Sequence, residues 1–196
     1  MTMAPANVRA ELAAWSLKPL GINTPPGRDG ESGLAAISGR EQEWASGFAH
    51  ALDYAVAIGA RSVHCLAGSV PPEQRPAAET VHRPGYFLNR VEHAADIVGK
   101  IGAPNLRIQF DFYHVQIVSG DLIRRFEAHR ALIGHVQIAG VPLRREPDEG
   151  EVNYPEIFAA LDRLGYDDFV GCEYRPRGRT EDGLGWAKPY GIVPKG

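Results

Sequence analysis

Short apolar runs with a two-residue period alternate along this chain with longer stretches whose apolar positions recur every three or four residues. Residues 7–16 read as a short helix, and LGIN at 20–23 as a short strand ended by the breaker TPPGRDGESG. Trp44, Phe48, Ala51, Leu52 and Ala55 predict one apolar face of a long helix, and SVHCLAG at 62–68 predicts the next strand. Phe87, Val91, Ala94 and Val98 mark a second amphipathic helix, opened by Pro84-Gly85 and halted around Gly102. Beyond it, NLRIQFD (105–111), GHVQIAG (134–140) and DFVGCEY (168–174) read as strands, with helices at 120–133 and 154–164 and a short helical tail. In the helix at 154–164, Ile157, Phe158, Leu161 and Leu164 share a face. Asn153 with Glu156 resembles a capping box, and Pro155 suits a first helical turn. Strands separated by helices imply a parallel sheet with right-handed crossovers, an α/β fold of about five strands in one domain spanning residues 1–196.

One connection breaks the pattern. Residues 69–83 are rich in proline, alanine and charge, far longer than most connections, and place no apolar run before the helix that follows Pro84-Gly85.

Alternation along the strands selects chemistry. In NLRIQFD, Leu106, Ile108 and Phe110 share the face suited to covering helices, leaving Arg107, Gln109 and Asp111 opposite. Val136 and Ile138 likewise oppose His135 and Gln137, while Val170, Cys172 and Tyr174 oppose Phe169, Gly171 and Glu173. Asp111, Gln137 and Glu173 thus reach one face near the C-terminal strand ends, where α/β sheets and barrels place their sites. Two carboxylates and an amide oxygen form a hard donor set suited to Mg²⁺ or Mn²⁺, with the imidazoles of His114 and His135 near in sequence. The same residues admit a structural reading: Asp111 caps the following turn, Glu173 pairs with Arg175 or Arg177, and Gln137 satisfies its neighbours. His64 is either a core histidine or a substrate ligand, and an arginine of YRPRGR, Arg175 first, could clamp a carboxylate.

Composition narrows the partners. A net charge of −3 offers no electrostatic reason to bind nucleic acid or an anionic membrane, and no apolar run approaches spanning length, so a small soluble partner is expected. The opening MTMAPANVRAELAAW lacks the pattern of a secretory signal, which predicts a cytoplasmic protein. Cys65 and Cys172 sit in apolar runs and read as reduced, buried thiols. Phosphate-loop, dinucleotide-loop and Gly-x-Ser-x-Gly patterns are absent, which lowers phosphoryl transfer, hydride transfer and serine hydrolysis in rank.

NTPPG, GESGLAAISGREQEW, PGYFLNR, FDFYHVQIVSGDL, GHVQIAG, GEVNYPEIF and GCEYRPRGRTEDGLGW together resemble hydroxypyruvate isomerase and its relatives in the xylose-isomerase-like TIM-barrel superfamily. That resemblance implies a divalent metal held by Glu, Asp, Gln and a second Glu, the two glutamates doubling as the acid/base pair. By motif, Asp111, Gln137 and Glu173 are three of these, with His114, His135, Arg175 and His64 set to contact substrate. The first glutamate has no counterpart. The family strand of type LLIEPIN that precedes PGYFL is missing together with the helix before it, on the order of one βα unit of 30 residues. Glu79 stands nearby but closer to Pro84 than the motif requires. Two N-terminal βα units of the family are also absent, and Gly140 replaces the acidic residue usual after QIA. The expectation is an incomplete or remodelled barrel that associates with a second copy to cover its strand edges. It would act as a metal-assisted isomerase of a small hydroxy-oxo acid such as hydroxypyruvate, or persist as an inactive remnant that binds metal or ligand or serves as a scaffold.

Overall fold

The period-two runs become parallel strands, but they pair in two separate groups. The computed structural model describes residues 3–28, 31–71 and 85–192. Residues 1–88 and 89–196 form two compact units. Glu79 and Pro84 lie outside the described residues.

In the first unit, α1 (Pro5–Ala14) precedes β1 (Gly21–Asn23), α2 (Glu41–Ile58) and β2 (Ser62–His64). β1 and β2 pair in parallel, with Asn23 beside His64. Buried Thr24 ties the strand ends together: its N–H donates to the His64 carbonyl and its hydroxyl accepts from Leu66 N–H. α2 buries Ala51, Ala55 and Ile58, and Trp44 stacks on Phe48 at 5.3 Å. Its buried stripe is rotated from the expected one, for Leu52 is exposed. The helix stops at Gly59, whose φ of 78° supplies the left-handed cap. The described ends of the anomalous connection are paired: Val70 N–H donates to the Gly85 carbonyl and Phe87 N–H to the Gly68 carbonyl. Gly85 and Phe87 are therefore committed to that pairing, and the next helix starts later than Pro84-Gly85 suggests.

That helix is α3 (Val91–Ile101), which opens the second unit and buries Val91, Ala94 and Val98. Then come β3 (Ile108–Asp111), α4 (Phe112–Val118), α5 (Leu122–His129), β4 (Ile133–Ile138), α6 (Tyr154–Arg163), β5 (Val170–Cys172) and α7 (Thr180–Gly183). The three strands form a parallel sheet in the order β3-β4-β5. Alternation holds: Ile108, Phe110, Val136 and Ile138 are buried, while Gln109, Asp111, His135 and Gln137 on the other face are only half-buried. Phe110, Phe112, Phe126 and Tyr166 pack edge-on or stacked beneath the sheet, burying aromatic surface at the centre of this unit. Tyr154 is 2% exposed, and its hydroxyl both donates to the Ala139 carbonyl and accepts from Ala139 N–H, fixing α6 to the end of β4.

Several local expectations change. α4 was not foreseen, because its seven residues are too few to show a helical period; Asp111 nucleates it as N-cap. The helix expected at 120–133 ends in a 3-10 turn at Arg130–Leu132 and yields to β4 at Ile133. Asn153 makes no side-chain cap bond, so the capping box does not form and Pro155 in the first turn sets the start of α6. Of the α6 stripe, Ile157 and Leu161 are buried while Phe158 and Leu164 are only half-buried. Neither thiol is fully buried: Cys65 is half-buried and Cys172, on outer strand β5, is exposed. No described helix is long and apolar enough to cross a membrane.

Candidate active site at the strand ends of the second unit

A one-residue slip creates the site. The partner of Ile108 on β4 is Ile133, but the partner of Gln109 is His135, so Gly134 is passed over. A Cβ at Gly134 would fall 2.6 Å from Arg107 Cβ, which makes glycine the residue that lets the strands close there. The slip sets His135 beside Gln109 and Gln137 beside Asp111. On the other side Gln137 pairs with Gly171. A side chain at Gly171 would begin 3.0 Å from His135 Nε2 and 3.3 Å from Gln137 Cγ, so its absence leaves room for both.

The donors are held in place by their own hydrogen bonds. Asp111 Oδ1 accepts from Tyr113 N–H at 2.9 Å and from His114 N–H at 3.4 Å, while Oδ2 lies 3.7 Å from His114 Nε2. Gln137 Oε1 accepts from Gln109 Nε2 at 2.8 Å, which directs the amide oxygen along the polar face. Glu173 N–H donates to the Ile138 carbonyl at 3.1 Å, anchoring the residue just beyond β5. Its carboxylate accepts from Arg144 at 2.5 Å. Burial pushes the Asp111 carboxyl up to about 6, against the pull of the Arg144 cation and with a further push from the negative Glu173. That mutual repulsion places Glu173 within electrostatic reach of Asp111.

Asp111 and Gln137 side by side, with Glu173 in electrostatic reach of Asp111, supply two carboxylates and an amide oxygen, a donor set whose chemistry suits a hard divalent cation. Among the described residues no three His, Cys, Asp or Glu side chains form a metal-binding group. His114, on the first turn of α4, stands against the Asp111 carboxylate, and His135 flanks Gly171. His64 belongs to the first unit, where its Nδ1 lies 3.2 Å from Asn23 Oδ1.

The arginines are distributed differently from the expectation. Neither Arg175 nor Arg177 is the ion-pair partner found for Glu173; Arg144 is, because the loop after β4 folds back over the strand ends. Arg175 is exposed, and its N–H donates to the Arg144 carbonyl at 2.7 Å. Arg177 is committed to Glu146, Asp148 and Glu149. Glu146 is fully buried; burial opposes its ionisation, yet the Arg177 N–H and guanidinium outweigh that and hold its carboxyl below the usual range. The Glu146 side chain also fills the space beside Gly183, where a Cβ would meet its Oε1 at 2.5 Å. Gly140 is likewise required: a Cβ there would fall 2.5 Å from the Glu146 carbonyl oxygen, which accounts for the lack of an acidic side chain. Arg144 and Glu146 escaped the sequence reading because LRREPDEGE looks like a solvated charged loop.

Residues 75–190 match the family model described as xylose isomerase-like TIM barrel. The chain is 43% identical over 217 positions to 2-oxo-tetronate isomerase of Cupriavidus necator, spanning 95% of this chain and 84% of that one. It is 36% identical over 189 positions to hydroxypyruvate isomerase of Escherichia coli, spanning 82% of this chain and 73% of that one. The crystal structure of AP endonuclease, family 2 from Brucella melitensis superposes with a TM-score of 0.90 at 38% identity, covering 96% of this chain and 84% of that one. The alignment to the Cupriavidus protein is longer than the stretch of this chain it covers by about 30 positions, the size of one βα unit.

Proposed function

The chain belongs to the xylose isomerase-like TIM barrel family, and from that premise we propose that it is an isomerase of small hydroxy-oxo acids, of the hydroxypyruvate or 2-oxo-tetronate type, assisted by a divalent metal. The observation that carries this reading is the register that sets Asp111 beside Gln137, with Glu173 just beyond β5 and within electrostatic reach of Asp111. Asp111, Gln137 and Glu173 would hold Mg²⁺ or Mn²⁺, and an ion bound there would supply a Lewis acid that polarises the substrate's carbonyl and hydroxyl oxygens. Glu173 would take the proton from C3 of hydroxypyruvate and return it at C2 while the proton of the O3 hydroxyl passes to O2, giving tartronate semialdehyde with no net change in atoms. His114 and His135 would orient the substrate oxygens, and Arg175 would meet the substrate carboxylate. The cytoplasm and association with a second copy complete the reading.

The test is interconversion of hydroxypyruvate and tartronate semialdehyde, and of a 2-oxo-tetronate, on chelator-treated protein with and without added Mn²⁺. Metal-dependent turnover supports the proposal; folded protein that turns over neither substrate favours the second reading, a family member that binds metal or ligand without catalysis. That reading has its own support: Glu173 is the one carboxylate assigned to proton transfer among the described residues.

Proton and metal compete for Asp111. Its carboxyl takes up a proton near pH 6, so Mn²⁺ affinity should fall as pH is lowered from 8 through 6 to 5, as titration calorimetry would show. The same shift fixes a sign for the metal-free protein. The folded state binds this proton more tightly than the unfolded chain, so this group's contribution to stability is present at pH 4 and is lost as pH rises through 6. Asp111→Asn keeps a capping side chain and should remove this group's contribution to the pH dependence of stability in the metal-free protein.

A further inference from the structure

Arg144 is built into its position at some cost. It is a non-glycine residue at φ 54°, in the left-handed region that L-residues enter only under constraint. Its carbonyl accepts from Arg175 N–H at 2.7 Å, and the adjacent Arg145 carbonyl accepts from Gly140 N–H at 2.8 Å, so the backbone is pinned on both sides of the loop. The guanidinium lies over the Tyr113 ring at 5.2 Å, and that ring is held by its hydroxyl, which donates to the Pro142 carbonyl at 3.2 Å. From this platform the Arg144 terminal nitrogen donates to Glu173 Oε2 at 2.5 Å and its Nε to the Glu173 carbonyl at 3.3 Å. The Arg144 side chain is 19% exposed against 56% for Glu173, so the cation is the more enclosed member of the pair and the carboxylate the more accessible one.

We propose that Arg144 is a resident counter-cation for Glu173, competing with the divalent metal for that carboxylate and so setting how tightly the site holds its ion. The inference rests on the assignment of Asp111, Gln137 and Glu173 as metal ligands. A carboxylate whose oxygen accepts a charge-assisted hydrogen bond must surrender or share it to ligate a metal, and a guanidinium beside the site also repels the incoming dication. Both effects weaken binding. The pair thereby makes metal loading reversible, with Glu173 exchanging between two cations by rotation of an exposed side chain.

The test measures Mn²⁺ binding directly, by electron paramagnetic resonance of the free ion, on wild type, Arg144→Met, Glu173→Gln, the double variant and Asp111→Asn. Circular dichroism melts confirm that each is folded. Arg144→Met should bind Mn²⁺ about 2- to 5-fold more tightly than wild type, the scale of a partly exposed ion pair. That gain should vanish in the Glu173→Gln background, where there is no carboxylate to compete for. Arg144→Lys keeps the charge without the fork and should fall between wild type and Arg144→Met. Equal or weaker binding by Arg144→Met overturns the proposal, as does an equal gain with and without Glu173, which would reduce Arg144 to a distant charge. The ligand assignment fails separately if wild type binds Mn²⁺ and Asp111→Asn binds it as well. If no variant binds Mn²⁺, both fall.

Discussion

Glu173→Gln should lower isomerase turnover by about 10²- to 10⁴-fold, the range expected when a positioned acid/base group is removed. The substitution is nearly isosteric and leaves the backbone bond from Glu173 N–H to the Ile138 carbonyl intact. It removes the charge that Arg144 neutralises, in a partly exposed pair whose loss costs the fold at most about 1 kcal/mol. Turnover and stability should therefore separate: activity assays on the two substrates fall to background while the urea midpoint barely moves. Turnover within a few-fold of wild type would remove Glu173 from the chemistry.

The second large effect falls on stability. Glu146→Ala should destabilise the protein by about 2–4 kcal/mol, read from urea denaturation, because it strips a buried acceptor from a buried network. Glu146 accepts from the Arg177 backbone N–H at 3.0 Å, pairs with the Arg177 guanidinium and fills the space beside Gly183. Alanine leaves that N–H without its acceptor and opens a void between the loop after β4 and the loop after β5. The loss stays short of the largest values for buried pairs because Arg177 keeps Asp148 and Glu149. Asp148→Asn is the matched control, and its effect should stay below about 1 kcal/mol, since both partners are partly exposed. Turnover of Glu146→Ala should fall as well, since the loop it anchors begins at Glu173. Equal midpoints for Glu146→Ala and Asp148→Asn would show that the buried network contributes nothing.

What could be read from the residues was whatever depends on period. Ile108, Phe110, Val136 and Ile138 turned inward as alternation required, which left Asp111 and Gln137 on the opposite face. The C-terminal stops at Gly59 and Gly102 needed only the left-handed cap that glycine provides. What escaped depends on where loops land. α4 is too short to carry a period, and its start is set by Asp111, whose Oδ1 caps the helix while its Oδ2 faces His114. Arg144 and Glu146 are separated by one residue, yet one meets Glu173 and the other is fully buried. That difference arises because the loop doubles back, with Gly140 bridged to Arg145 and Gly150 at φ 107° passing so close to the Val141 carbonyl that no side chain fits. The rotation of the α2 stripe toward Ile58 has the same origin: the helical period fixes which residues share a face, and tertiary packing decides where that face is centred.

Asp111 divides its two oxygens between a helix and a site, and this provides the molecule with an internal gauge. The amide protons of Tyr113 and His114 point at Oδ1 of the carboxyl group whose other oxygen faces His114. Any event at that carboxyl, whether uptake of a proton or arrival of an ion, redistributes charge across both oxygens and is felt by the two amides at once. In a nitrogen–proton correlation spectrum those two resonances would report occupancy residue by residue, without a substrate and without waiting for turnover.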